Sequence, residues 1–579
     1  MRCASEAADR TRAARSQDPS PRRSSRRPSS TCAWSTIDEL TTGERPDAWS
    51  RRSERSSIAW CGGSRTTSAR APGWTAPPRA RPPSPHGTHI VIHERIRTSA
   101  GPPGTLHPRR PRGVLDDILS RLIVDPGAPV PSIPVHAIVT DADRVEPGDL
   151  FVALEGRQPG SIGRAVGRGA VAVIAESGPS SDVGVPVCLV QDAMRALGHM
   201  ADRLFGHPSR ALRTCGVAGS VGKRSVSVLS QAALDAAGLA AGHITQAAGL
   251  PRPHRLQERL SRFCDEGHMA CVVETAAREL VLGRFEGLRF DSAVFVGLGE
   301  CDDGFFPSRR ERLDATADLF RGLSSDAVCA LNRDDPSWES IAAETRAKVV
   351  TFGLEAGGEV RGQICRMDLG GTRMDVRSPV GTIPLATSLV GRLHATNALA
   401  AITGALALGA DLDDAVRGIS AVRNVPGRME KLPLPLPFSV LIDVAPDAPA
   451  LASVLTALRP LVRGRLIVVF GAPDTPSAGW ARMANAAERG ADALVVTEGR
   501  DSGENPLRTI GELMRGLTQP RRAWLEPSRP DAIRMALETA RTDDTVLLVS
   551  RGNGSEERTV VRDWCLKDLE AAAAADLAE

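Results

Sequence analysis

Residues 214–234 read TCGVAGSVGKRSVSVLSQAAL. A short apolar run ends at Ala218, a glycine-rich turn follows through Gly219, Ser220 and Gly222, and a helical pattern starts at Lys223. Strand, glycine loop and helix in that order make a phosphate cradle. Backbone N–H groups and the amino end of the helix face the anion, and Lys223 adds positive charge. In the usual arrangement a Ser or Thr directly after the lysine holds Mg²⁺. Here Arg224 stands in that place and Ser225 comes one residue later. On these residues alone, an ordinary glycine-rich turn is as good a reading as a nucleotide site.

On either side of this stretch, short apolar runs alternate with alanine-rich helical patterns, which is the signature of an α/β fold with parallel sheets and crossover helices. The runs DLFVAL (149–154), AVAVIAE (170–176), CGVAG (215–219), ACVVE (270–274), SAVFVGL (292–298), AVCALN (327–332), RLIVVFG (465–471), ADALVVTE (491–498) and TVLLVS (545–550) read as strands. The chain has 579 residues, which at roughly 150 residues per domain gives about three to four domains. Breaks near 210 and at the proline-rich RNVPGRMEKLPLPLP (423–437) place folded domains at 113–210, 211–428 and 429–579. Residues 1–112 are dominated by Arg, Ser and Pro, with no apolar periodicity, and read as a disordered extension. A basic arm for an anionic polymer is the weaker reading, because prolines break any coherent face.

Composition excludes more than it assigns. The 72 basic residues nearly balance the 69 acidic ones, so no strong field points to nucleic acid or a membrane surface. The 11 cysteines form no CxxC pair and none sits near a histidine at zinc-finger spacing, which suggests neither a metal site nor a disulfide framework. There is no apolar run of about 18 residues and no signal-peptide core at the start, so the expectation is a cytoplasmic protein. No Ser/His/Asp or Cys/His hydrolase motif is present.

The spacing of Gly216, Gly219, Ser220, Gly222 and Lys223 resembles the Mur ligase loop GxxGTNGKTT, and further resemblances follow in order. DADRVEPGDLFVALEG (141–156) and AVGRGAVAVIAE (165–176) look like the uridine-nucleotide-binding domain of that family. VVETAARELVLGRFEGLRFDSAVFVGL (272–298) looks like its ATPase segment, with LGRFEGLRFD favouring the tripeptide-synthetase branch, the diaminopimelate-adding ligase. LNRDDP (331–336), GRLHATNALAAITGALALG (391–409), NVPGRMEKL (424–432) and DVAPDAPAL (443–451) are similar to later landmarks. The resemblance implies a small amino-terminal α/β domain, a central P-loop ATPase domain and a carboxy-terminal Rossmann-like domain. It also implies a ligase of peptidoglycan biosynthesis: ATP phosphorylates a carboxylate of a UDP-muramoyl peptide, and an amine then displaces phosphate. By resemblance Lys223, Glu274 and Arg428 are catalytic. Gly219, Ser220, Gly222, Lys223, Ser225, Asn397, Arg428 and Asp443 hold nucleotide, with Asn397 on the adenine side, and Glu274 holds Mg²⁺. Each has a plain alternative: Glu274 a solvated strand-end carboxylate, Asn397 a helix-surface residue, Arg428 with Asp443 an interdomain ion pair.

The departures from the family pattern are equally specific. Arg224 replaces the metal-binding hydroxyl, Asp302 replaces the histidine of NLxxDHLD, and the lysine that would be carbamoylated falls on Thr316. Ala276, Ala277 and Arg278 stand for SSH. On the substrate side Asp141, Ala142 and Asp143 stand for Asp-Ser-Arg, QPGS (158–161) for the DGH region, and Gly499, Arg500, Asp501 and Ser502 for DNPR. Ser550 to Gly554 stand for GKGHE, and Val444 to Ala450 for YAHTPDA. Fold-forming positions match while reactive ones change, the pattern expected of a pseudoenzyme that keeps a nucleotide and associates with UDP-muramoyl peptide or cell-wall enzymes. The alternative is an active ATP-dependent acid–amino-acid ligase with altered substrate and metal use, in which Arg224 replaces one metal's charge and Asp302 or Asp303 recruits a metal.

Overall fold

The structure is a computed structural model that describes residues 113–119, 130–154, 160–179, 182–245, 251–299, 304–472, 479–499, 506–550, 552 and 554–576. All of them belong to one compact unit, His89–Glu579. The segment 1–112, expected to be disordered, lies outside the described residues, as do Asp302, Asp303, Arg500, Asp501 and Ser502.

Among the described residues the polar amino-terminal part builds a four-stranded parallel sheet in the order Ile138–Val139, Leu150–Val152, Ala172–Ala175, Val187–Leu189. The helix Ala193–Leu204 turns a face of Leu197, Met200 and Ala201 onto it. Asp192 caps this helix by accepting from the Arg195 N–H at 2.8 Å.

The central sheet is the largest. In spatial order its strands are Ala241–Ile244, Ala270–Thr275, Arg213–Ala218, Ser292–Phe295, Val328–Asn332 and Lys348–Gly353, all parallel. Val360–Asp368, Gly371–Ser378 and Gly381–Thr387 continue it as an antiparallel meander. The inner parallel strands are apolar along most of their length because both faces are covered. The helices Lys223–Ala236, Arg392–Ala407 and Leu412–Ala421 cover one face, and Pro253–Asp265, Arg309–Arg321 and Trp338–Glu344 the other. All nine runs read as strands from the sequence are strands. The meander and several short strands, among them Ala241–Ile244, Lys348–Gly353 and Ser439–Val444, are not among those runs.

The carboxy-terminal sheet runs Glu430–Lys431, Ser439–Val444, Thr545–Ser550, Leu466–Gly471, Ala493–Thr497, Ala523–Leu525, parallel except at its first strand. It meets the central domain at a short junction. The His394 ring lies in the first turn of Arg392–Ala407, and its Nε2–H donates to the Arg428 carbonyl at 3.0 Å. Burial pushes His394 down to about 4. On the far side of the junction, burial lifts Asp443 to about 6, against the attraction of Arg428.

The phosphate-loop helix is held from behind by Leu412–Ala421. A Cβ added at Gly418 would lie 2.1 Å from the Ala232 carbonyl oxygen, so only glycine lets the two helices approach this closely. The Gly418→Ala change should therefore lower the melting temperature by several degrees. Overpacking costs about 1–3 kcal/mol, more than the ~1 kcal/mol that alanine gains in helix propensity. Gly163→Ala, whose Cβ would meet nothing within 4 Å, should raise it slightly. Equal shifts in the two variants would contradict the close approach.

The two junction residues give a second expectation. A histidine whose pKa falls on folding stabilises above its unfolded value of 6.5, and that contribution is lost as pH drops toward about 4. Asp443, raised on folding, runs the other way over nearly the same window: its contribution is present below 3.8 and lost as pH rises through about 6. In His394→Gln only the first effect disappears. Its denaturation midpoint should thus gain on the parent's as pH falls from 7 to 4, by the equivalent of about 3 kcal/mol. A difference between parent and variant that does not change with pH would overturn this.

Candidate nucleotide site

The phosphate loop leaves the carboxyl end of strand Arg213–Ala218, flanked by Ala270–Thr275 on one side and Ser292–Phe295 on the other. Two glycines are required by close contact. Gly219 has φ +134°, and a Cβ there would lie 2.6 Å from the Gly297 carbonyl oxygen, the same oxygen that accepts the Ser220 N–H at 2.9 Å. Gly222 has φ +94° and caps the helix Lys223–Ala236, and its Cβ would meet Asn397 Oδ1 at 2.4 Å. Only glycine adopts such backbone without penalty while admitting a neighbour that close. The segment after Ser292–Phe295 that braces the loop is itself pinned. Asn332 Nδ2 donates to the Val296 carbonyl at 2.7 Å, and Asp335 Oδ2 accepts from the Leu298 N–H at 2.6 Å. LNRDDP is therefore a brace for the loop.

Lys223 curls back so that its Nζ donates to the carbonyls of Gly219 and Ser220 at 2.7 and 3.0 Å, closing the cradle around its own amine. Strand register puts Val217 opposite Glu274, which brings the Glu274 side chain to the mouth of the loop. Glu274 is 2% exposed, so the alternative of a solvated strand-end carboxylate fails. Its Oε1 lies 3.9 Å from Nε of Arg224, the second residue of the loop helix. The arginine that replaces the metal-binding hydroxyl thus forms an ion pair with the glutamate that would hold the metal. Sequence reading noted both residues but not their contact.

Asn397 is 0% exposed and lies against Gly222, which rules out the alternative of a helix-surface residue. Arg428 and Asp443 both act on backbone. Arg428 Nη1 donates to the Val444 carbonyl at 2.9 Å, and Asp443 Oδ1 accepts from the Met429 N–H at 2.9 Å, where Met429 has a positive φ of 45°. Glu430 completes the junction by accepting from Gly427 N–H and from Arg558, each at 2.7 Å. Burial lowers the Arg428 pKa, the nearby Arg224 charge lowers it further, and the carboxylates of Asp443 and Glu274 act against both. Arg224, Glu274, Arg428 and Asp443 therefore form one charged group between the loop and the junction, while Lys223 stays on the loop carbonyls.

The remaining motif positions carry local structure. Thr316 is 1% exposed and its hydroxyl donates to the Arg312 carbonyl one turn back. Asp141 caps a short 3₁₀ turn through the Asp143 N–H, and Arg164 pairs with Asp143 at 3.3 Å. Asp447 caps the helix Ala448–Leu458. Ser550 donates to Glu557, itself in a buried pair with Arg529 at 2.6 Å. The Arg278 guanidinium lies 5.0 Å from the centre of the Phe305 ring. The family resemblance implies ATP with Mg²⁺. The Arg224–Glu274 pair occupies the place that the resemblance gives to the ion, and a guanidinium offers no oxygen ligand, so these two residues do not fit Mg²⁺.

The chain was compared with known proteins. The Mur ligase middle domain matches residues 217–405, and the Mur ligase glutamate ligase domain matches 427–552. The UDP-N-acetylmuramoyl-L-alanyl-D-glutamate--2,6-diaminopimelate ligase of Gloeobacter violaceus is 30% identical over 456 residues, covering 76% of this chain and 93% of the relative. The Listeria monocytogenes serotype 4b enzyme of the same name is 29% identical, covering 78% and 95%. A solved structure of a ligase of that name superposes with a TM-score of 0.58 at 22% identity, covering 79% of this chain and 99% of the other. MurF from Acinetobacter baumannii also superposes with a TM-score of 0.58, at 18% identity, covering 78% and 99%. At these identities the two structures show a shared fold. With a relative 30% identical over nearly its whole length, and both domain types matched in order, this chain is a member of the Mur ligase family, resembling its tripeptide-synthetase branch.

Proposed function

We propose that this protein binds ATP or ADP at Gly219, Ser220, Gly222, Lys223 and Ser225, and that it has lost, or retains only in severely slowed form, the ligase reaction of its family. In this reading the domains run 113–210, 211–428 and 429–579, and the protein works in the cytoplasm on or near UDP-muramoyl peptides and the enzymes that build them. Asn397, Arg428 and Asp443 would complete the nucleotide site, with Arg428 and Asp443 setting how the carboxy-terminal domain meets it. The observation that carries the proposal is the Arg224–Glu274 ion pair at 3.9 Å. Family chemistry needs two cations to align a carboxylate with the γ-phosphate and hold the developing charge. An arginine clamps phosphate oxygens but does not bridge them to a second oxygen ligand as a metal does.

A second reading, an active ligase for another acid and amine, is favoured by the retained charged group of Lys223, Glu274 and Arg428. Phosphate release separates the two readings.

Calorimetric titration of the full chain with ATP and with ADP should show binding that weakens at least tenfold in Lys223→Ala, since a hydrogen bond to a charged group contributes about 1.5–3 kcal/mol. Equal affinity in parent and variant would remove the site assignment. Phosphate release from ATP, with UDP-muramoyl dipeptide and a panel of amino acids including diaminopimelate and lysine, should run at least two orders of magnitude below one turnover per second. A single lost electrostatic contact costs roughly 10²–10³ in rate, and groups acting as a unit lose at least one such step. Substrate-dependent turnover near one per second would restore the ligase reading.

A further inference from the structure

A magnesium ion binds through oxygen ligands in near-octahedral geometry and keeps its place because nearby carboxylates or phosphates offset its charge. The nucleotide site supplies the opposite surroundings. Arg224 and Arg428 bring two permanent positive charges against the carboxylates of Glu274 and Asp443, burial holds Asp443 at about 6, and the Lys223 amine sits on the loop itself. Position 224 offers a guanidinium where a hydroxyl oxygen would ligate the metal. A divalent cation entering beside Glu274 would face Arg224 within about one ion-pair distance and Arg428 beyond it, in a region shielded from water.

The same surroundings suit a polyanion. Arg224 lies in the first turn of a 14-residue helix whose amino end is open to the loop, so its charge and the helix dipole favour the same ligand. Its separation from Glu274, 3.9 Å, is too long for a hydrogen bond, and its buried Nε has no hydrogen-bond partner among the described residues. A buried donor without a partner is costly, and a ligand oxygen at the loop would relieve it. Guanidinium is weakly hydrated, permanently charged and forked, which matches two phosphate oxygens.

From this the geometry points to Arg224 as a built-in cation that takes the place of the metal, so that the site accepts metal-free nucleoside di- or triphosphate, with Glu274 holding the guanidinium in place. This rests on the nucleotide reading above and deepens it.

Titration of the full chain with ADP, once in excess EDTA and once with Mg²⁺ in excess over nucleotide, tests it without any variant. The affinity in EDTA should equal or exceed that with Mg²⁺. Arg224→Thr, which restores the hydroxyl, should bind about 10- to 100-fold more weakly in EDTA and regain affinity when Mg²⁺ is added. Arg224→Lys, keeping charge without the fork, should remain insensitive to Mg²⁺. Tightening of the parent by tenfold or more on adding Mg²⁺ would overturn the inference while leaving nucleotide binding intact. Absence of ADP binding in both conditions would overturn the nucleotide reading, and this inference with it.

Discussion

The contact between Gly222 and Asn397 is the constraint on which the rest of the site depends. A Cβ at Gly222 would sit 2.4 Å from Asn397 Oδ1, so the loop and the helix Arg392–Ala407 meet with nothing between them. One turn earlier on that helix, His394 reaches the Arg428 carbonyl, and Arg428 in turn holds Val444. A single helix thus carries the position of the loop to the junction with the carboxy-terminal domain. The charged group at the mouth of the loop is assembled by this link and by strand register, from residues far apart in the chain.

Much of the fold was legible because its strands are continuous apolar runs between glycines and helices, the form a doubly covered parallel strand must take. The meander was not, since Val360–Asp368 alternates buried Val360 and Gly362 with exposed Arg361 and Gln363 and includes several charged residues that suggest a loop. Its face is one-sided, and a period of two broken by a bulge near Ile364 leaves a weak trace. Ala241–Ile244, AGHI, is too short and too poor in β-branched residues to stand out. Lys348–Gly353 begins exposed and is only partly apolar.

For the site, residue types could be read and contacts could not. Arg224 and Glu274 are 50 positions apart, and nothing in their local sequence says that neighbouring strands bring them within an ion pair; that follows from Val217 standing opposite Glu274. Asn397 was harder still. The helix around it, LHATNALAAITGALA, is small and apolar almost all round, so the depth of a polar residue within it cannot be taken from a one-faced pattern. Sequence order named the candidates, while register and close packing set which of them touch.

Thr316 shows how a change of chemistry becomes fixed by packing. It stands where the family resemblance places a lysine, yet its side chain is enclosed and its hydroxyl is satisfied by the Arg312 carbonyl within the same helix. Restoring a lysine would require room for four methylenes and an ammonium group among neighbours that have closed over a much smaller side chain, with a desolvation cost unless a new partner were already present. That partner would matter only once a hydroxyl had returned at position 224, since the groups act together. A lysine at 316 and a hydroxyl at 224 would each, taken alone, meet a cost, the first set by packing and the second by the ion pair it would break with Glu274.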